Sequence, residues 1–250
     1  MNRLRSIVAC ILLLTGNALQ AGEVSVAVAA NFIGPMNAIA AAFTAETGHA
    51  VRLSSGSTGK FYAQIRNGAP FDVLLAADEE TPARLVKDGL GVEESRFTYA
   101  VGALVLWSPR EGLVDAEARV LREGGFNKLA LANPRVAPYG RAAVEVMANM
   151  GLLNDLEPHF VLGENIAQAY QFTATGNADL GFVALSQVMK DGRVAGGSYW
   201  VVPPDAHAPI RQDALLLTSG KDNSAARALL DYLRSDKVLA IIRAYGYASD

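Results

Sequence analysis

Four short polar segments stand between a strand-like run and a helix-like run: Ala30-Asn31-Phe32, Ser54 to Gly59 (SSGSTG), Asn133 to Gly140 (NPRVAPYG) and Glu164-Asn165-Ile166. Their donor side chains are neutral: Asn31, Ser57, Thr58 and Tyr139. At the start of a helix the first backbone N–H groups lack intrahelical partners, so each segment is also a ready anion site. Taken singly, a Ser, Thr or Asn at such a place is an ordinary helix cap. Four together favour a small buried oxyanion.

Enzyme chemistry finds little support. There is no Gly-x-Ser-x-Gly elbow. The stretch Ser54 to Lys60 looks superficially like a phosphate-binding P-loop, but that motif needs glycine where Ser54 stands and a hydroxyl residue where Phe61 stands. His49, His159 and His207 are isolated and read as surface or loop residues, and no His-Glu-x-x-His pattern occurs. Asp78, Glu79 and Glu80 read as a solvated helix start, where the dipole favours them. An exported enzyme acting on a small anion would need a base beside Ser57 or Thr58, and no histidine lies near those loops in sequence. Lys60, Arg135 and Arg141 read as rim or surface charges that help steer an anion inward.

The elements that must position these loops alternate. Glu23 to Ala29 (EVSVAVA) is β-branched with polar positions interleaved, as a strand prefers, and Met36 to Glu46 has apolar residues at helical spacing. Similar strand-loop-helix units recur, predicting an α/β architecture with parallel strands. In such a lobe the loops gather at the carboxyl ends of the strands. Phe97 to Trp107 (FTYAVGALVLW) reads as one longer strand with a glycine in the middle, and Arg211 to Leu217 as a last long strand. These two bracket a middle block. Two lobes result, the first completed by the C-terminal helices, with a ligand cleft between them.

The ends and the composition narrow the setting. Arg3 and Arg5 precede the apolar run Ile7 to Leu14, and small residues lead to Ala21: the pattern of an export signal cleaved after Ala21. The run is far shorter than the roughly 20 apolar residues that span a bilayer. Val8-Ala9-Cys10 resembles the end of a lipoprotein box, yet too little apolar sequence precedes it. Residues 1–21 carry two arginines and no acids, so cleavage takes the formal charge from −3 to −5. Cleavage also removes the one cysteine, leaving neither thiolate nor disulfide chemistry. Without a basic excess, nucleic acid is an unsuitable partner. A hydrophobic fraction of 51% over 250 residues can fill a sizeable core, which excludes a disordered chain.

Several stretches together resemble the periplasmic molybdate-binding proteins that serve ABC importers, within the type II periplasmic binding proteins. They are VAVAANF (26–32), SSGSTGKFYAQIRNGAPFDVLLAADE (54–79), FTYAVGALVLWS (97–108), NPRVAPYG (133–140) and ADLGFVALSQV (178–188). The resemblance covers essentially the whole mature chain and is most specific in NGAPFDVLLAADE combined with NPxxAPYG. It implies a two-lobed α/β fold, mostly parallel sheets with flanking helices, closing on the anion by a hinge motion. The implied boundaries are 1–21 for the signal peptide, 22–98 and 211–250 for lobe 1, and 99–210 for lobe 2.

The family's binding residues map onto Asn31, Thr58, Tyr139 and Ile166, the last through its backbone amide. Ala30 and Ser57 are possible additions. Ala30 stands where some relatives have a hydroxyl residue, so only its N–H can serve, and Ala184 stands where another branch has a binding tyrosine. The implied ligand is molybdate or tungstate, with no cofactor, no protein ligand to a bare metal and no catalysis. The implied partner of this periplasmic monomer is an inner-membrane permease with its ATPase. A donor-only pocket suits these unprotonated dianions and disfavours phosphate, whose proton wants an acceptor; the mismatch costs roughly 1–3 kcal/mol. Sulfate differs only in its shorter bonds, so a receptor for sulfate or another small oxyanion stays open.

Overall fold

The computed structural model describes residues 21–190 and 192–248. Except for Ala21, the segment read as an export signal lies outside them. Five strands form the first sheet: β1 (Glu23–Ala29), β2 (Ala50–Gly56), β3 (Val73–Leu75), β4 (Phe97–Gly102) and β12 (Ile210–Leu216), in spatial order β2-β1-β3-β12-β4. The second sheet runs β11-β5-β8-β6-β7, built from β5 (Leu104–Ser108), β6 (Leu129–Ala132), β7 (Phe160–Gly163), β8 (Leu180–Ala184) and β11 (Ser198–Val201). A two-stranded ribbon of β9 (Met189–Lys190) and β10 (Arg193–Val194) lies between β8 and β11 in the chain. Helices α1 (Ile33–Thr47), α2 (Thr58–Arg66) and α3 (Glu80–Lys87) follow strands of the first sheet. Between β5 and β9 come α4 (Val120–Glu123), α5 (Pro138–Asn149), α6 (Leu153–Leu156), α7 (Ile166–Ala174) and α8 (Leu185–Val188). The last two, α9 (Ser224–Leu233) and α10 (Asp236–Ala244), return to the first sheet.

The elements form for local reasons that packing then exploits. On α1 the buried side chains Met36, Ile39 and Phe43 recur at helical spacing, making one apolar stripe against the sheet. Each such buried side chain is worth about 1.5–3 kcal/mol against exposure. Gly48 ends α1 in the left-handed conformation (φ 74°), and its N–H donates to the Thr44 carbonyl at 2.9 Å. On α9, Ala225, Leu229 and Leu233 repeat every four residues, and α10 adds Val238 and Ile242 to the same core. A separate large core lies under the second sheet, around Leu106, Leu129, Leu131, Val146 and Phe182.

Each sheet holds four strands that point one way and one that is reversed. β1, β2 and β3 pair in parallel, and β12 runs against both β3 and β4. β6, β7 and β8 pair in parallel, and β5 runs against both β8 and β11. The reversed strands are the ones through which the chain enters a sheet from the other lobe. The expected single strand over Phe97 to Trp107 is therefore two strands, β4 and β5, in different sheets. Its glycine is where the chain changes sheets: β4 ends at Gly102, Ala103 crosses, and β5 begins at Leu104. The return runs from β11 to β12 alongside, with Val202 N–H donating to Leu104 O at 3.0 Å. Ala248 adds a third strap, exchanging two backbone hydrogen bonds with Val101 (2.8 and 3.0 Å).

One carboxylate pins the entrances of two central strands. Asp179, just before β8, accepts from the N–H groups of Asn127 and Lys128 at 2.8 and 3.0 Å. These bonds, with Arg110 beside it, hold its carboxyl below the usual range. A lowered folded-state pKa means stability that is present above the ordinary carboxylate range and lost as the pH falls through the lowered value. Asp179→Asn is expected to be less stable at pH 7 by about 1–2 kcal/mol. Its melting temperature should also fall less steeply than the parent's between pH 7 and 3, as thermal unfolding across that range will read.

Candidate functional site

The four polar segments meet. β1 runs straight into a short turn of 3-10 helix, Ala30–Phe32, that continues into α1. β2 hands over to α2 through Ser57, β6 to α5 through the 133–137 loop, and β7 to α7 through Glu164 and Asn165. The N-termini of four helical segments thus converge at the carboxyl ends of parallel strands, two from each lobe. Between them lies a small pocket. Ala30, Asn31, Ser57, Thr58, Tyr139 and Ile166 all line it, so the structure brings every residue singled out from the sequence to one place. Asn165, from the fourth polar segment, lines it as well, and so does Ala77, after β3, to which the sequence assigned no role.

Hydrogen-bond accounting shows what each group still offers. Ser57 is the N-cap of α2 yet makes no side-chain cap, and its buried Oγ has no hydrogen-bond partner. A buried, unpaired hydroxyl costs about 1–3 kcal/mol, so a native chain keeps one only where something else is gained. Thr58 Oγ1 accepts from Ala77 N–H at 2.9 Å, which leaves its own hydrogen to give. Tyr139 Oη accepts from Gln212 Nε2 at 3.2 Å and is in the same position. Asn165 caps α7 through Gln168 N–H (3.0 Å), leaving the first N–H of that helix, at Ile166, without an intrahelical partner. Gln187 steadies that turn by donating to the Ile166 carbonyl at 3.2 Å.

No Asp, Glu, Lys, Arg or His side chain lines the pocket. Burial pushes the Tyr139 phenol well above its usual range, with Tyr247 and Tyr99 adding to the shift, so it stays protonated and able to donate. The charges stand at the rim and are paired across the lobes. Arg141 of α5 meets Asp78 at 2.9 Å, and Lys60 of α2 meets Glu164 at 2.8 Å. Such half-exposed pairs are worth at most about 1 kcal/mol each. A direct backbone bond, Gly59 N–H to Val136 O at 2.9 Å, also joins the lobes beside the pocket.

The chain matches the model of a family described as bacterial extracellular solute-binding protein over residues 24–248. It is 59% identical over 230 residues to the molybdate-binding protein of Azotobacter vinelandii, covering 92% of this chain and 91% of that one. To the molybdate-binding protein of Rhodobacter capsulatus it is 51% identical over 230 residues, covering 92% and 90%. A solved structure titled as an Azotobacter vinelandii periplasmic molybdate-binding protein superimposes with a TM-score of 0.89 at 42% identity, covering 91% of this chain and 99% of that one. The chain belongs to the bacterial extracellular solute-binding protein family.

In this solute-binding protein some residues do more than the sequence indicated, and some do it differently. The Asn31 side-chain amide, expected as a donor into the pocket, gives both hydrogens to the protein: one to Gln212 Oε1 (2.8 Å) and one to Tyr247 Oη (3.0 Å). What Asn31 keeps for the pocket is its backbone N–H at the start of a helical turn. Gln212, Tyr99 and Tyr247 form the buried floor behind the pocket; Gln212 and Tyr247 lie outside every stretch that carries the resemblance, and Tyr99, inside one, was given no role. Ala184 ends β8 away from the pocket lining, and the phenol that reaches the pocket comes from α5 instead. None of the three histidines lines the pocket. His49 and His207 lie in loops but are buried, not on the surface; His49 Nδ1 accepts from Gly22 N–H at 2.9 Å. Asp78 serves its helix start, Oδ1 accepting from Thr81 N–H at 3.0 Å, but it is buried and only Glu79 and Glu80 are solvated as expected. No helix among the described residues is long and apolar enough to cross a membrane, and none of their acidic, His or Cys side chains group as a metal site.

Proposed function

We propose that this protein is a periplasmic receptor that binds molybdate, and tungstate with it, and delivers the anion to the permease of an ABC importer without chemical turnover. The observation that carries the reading is the buried Ser57 hydroxyl, unpartnered and lying in a pocket whose other hydroxyls, Thr58 and Tyr139, already accept from the protein. Three O–H hydrogens and the N–H groups of four helical starts are then available to a group that only accepts. A tetrahedral dianion has that character. The named activity of two relatives at 51% and 59% identity supports molybdate as the cargo.

Neutral donors suit a carrier that must also release. A buried cation would hold the dianion but would carry a desolvation cost each time the lobes part. In this reading Ser57, Thr58 and the N–H groups of Ala30 and Asn31 bind from the first lobe, and Tyr139 and the Ile166 N–H from the second. Ligand binding is therefore what draws the lobes together.

Calorimetric titration of the mature, anion-stripped protein with molybdate, tungstate, sulfate and phosphate tests the reading. The expected result is micromolar or tighter binding of molybdate and tungstate, worth about −8 kcal/mol or more, with sulfate far weaker and phosphate silent. Heat with sulfate alone would replace the cargo, and no heat with any of the four would overturn the receptor.

A further inference from the structure

We propose that Gln212, on the reversed strand β12, is a positioning residue that sets the direction of the Tyr139 hydroxyl and so frees its hydrogen for the ligand. The inference rests on the oxyanion reading above and adds to it a residue outside the pocket lining.

The direction of the network follows from one group that can only accept. The Asn31 backbone carbonyl takes the Tyr247 hydroxyl at 2.8 Å, so the Tyr247 oxygen is left to accept. It accepts from Asn31 Nδ2 at 3.0 Å, which orients that amide. The second Asn31 hydrogen then goes to Gln212 Oε1 at 2.8 Å, and the Tyr99 hydroxyl, which donates to the Ala76 carbonyl at 2.9 Å, shares its one hydrogen with that oxygen at 3.1 Å. With its oxygen so held, Gln212 must present Nε2 to Tyr139, at 3.2 Å. A phenol that is accepting from Gln212 keeps its own hydrogen to donate, and the Tyr247 hydroxyl beside it and a bound anion compete for it. Turning Gln212 over alone would set its NH2 against the NH2 of Asn31, both side chains being buried.

Two backbone features exist to make this contact. β4 carries one residue more than β12 at this point, since Gln212 pairs with Ala100 and Asp213 with Thr98. The extra residue is Tyr99, whose hydroxyl reaches Gln212. Gly102 makes the space: a Cβ there would stand 2.1 Å from Tyr139 Oη and 2.6 Å from Gln212 Nε2. Tyr139 comes from α5 of the second lobe, so its hydroxyl is seated on the hinge strands of the first.

Gln212→Glu keeps the shape and exchanges the donor for a group that donates only when protonated. The phenols facing position 212 are Tyr99, Tyr139 and Tyr247, and the carboxylates felt nearby are Asp213 and Asp78, through their effect on Tyr99. As a carboxylate, the substituted side chain would accept the Tyr139 hydrogen and withdraw it from the ligand; protonated, it would restore the parent arrangement. Molybdate affinity relative to the parent, measured by calorimetry at pH 8.5 and 5.5, is expected to drop about 100-fold at pH 8.5 and to recover to within about 10-fold at pH 5.5. In a Tyr139→Phe background most of the pH-dependent loss should vanish. Parent-like affinity at both pH values, or one loss that is the same at both pH values and in both backgrounds, would overturn the proposal. Should Gln212→Glu fail to fold, Gly102→Ala makes the same test by forcing the pair apart. It should weaken binding by about 10-fold with Tyr139 present and by less in the Tyr139→Phe background; no loss overturns the proposal. A parent protein that takes up no molybdate would instead overturn the receptor reading, leaving the two failures distinct.

Discussion

Gly59→Val is expected to weaken molybdate binding by at least about 300-fold while leaving the unliganded protein within about 2 °C of the parent's melting temperature. Gly59 is the second residue of α2, and a Cβ there would lie 3.0 Å from both Cα and O of Val136 in the loop before α5. That is already tighter than ordinary contact, and the two further methyls of valine cannot be accommodated beside a backbone. The crowding lies between lobes and not within either core, so opening relieves it and unfolding is not needed. An opened cleft gives up the donors of the second lobe, the Tyr139 hydroxyl and the Ile166 N–H. Hydrogen bonds to a charged acceptor are worth about 1.5–3 kcal/mol each, so two of them correspond to about 10²- to 10⁴-fold in affinity. Calorimetry gives the affinity. Small-angle scattering with and without molybdate gives the cause, since the parent should contract on binding and the variant should not. Parent-like affinity in Gly59→Val would mean that closure contributes nothing to binding.

Ser57→Ala is expected to lower molybdate affinity by about 10- to 100-fold without lowering the stability of the free protein. Most substitutions of a buried polar residue cost stability because a partner is left unpaired. Ser57 has no partner to abandon, and removing its hydroxyl removes a desolvated group that nothing in the protein satisfies. The free variant should therefore melt at or slightly above the parent's temperature, by up to about 4 °C. The liganded variant should melt below the liganded parent, because the stabilisation by bound anion scales with affinity. Thermal melts of both proteins, with and without molybdate, read all four values. A free variant less stable than the parent would show that the hydroxyl serves the fold, and its place in the pocket would lose its meaning.

Much of this was legible in the chain because it is written in local terms. Alternating β-branched strands, the apolar stripe of α1 and the turn residues between them are short-range patterns, and they specify an α/β architecture with loops at the carboxyl ends of the strands. Asn31, Ser57, Thr58 and Tyr139 were legible for the same reason, since each sits at a strand-to-helix turn and stands out from an otherwise apolar chain, whereas Ala30 and Ile166 were reached only through the family resemblance. The run from Phe97 to Trp107 shows where local pattern stops. Its residues have the composition of one strand throughout, and only the presence of two sheets decides that it is cut at Ala103.

Which hydrogens are available is a matter of long-range packing. Asn31 reads as a donor in sequence, and its amide is a donor, but Gln212 and Tyr247 consume both hydrogens from positions 181 and 216 residues away. Ser57 reads as a helix cap, yet its hydroxyl caps nothing. Residue type sets what a group can give; the partners that folding brings to it set what it has left. Those partners come from strands and a C-terminal strap joined only by the crossing of the chain between lobes, so no local spacing encodes them. Local pattern in the chain thus specified the fold class and the polar side chains that meet at the pocket, while packing at the hinge selected which of their donors face a ligand.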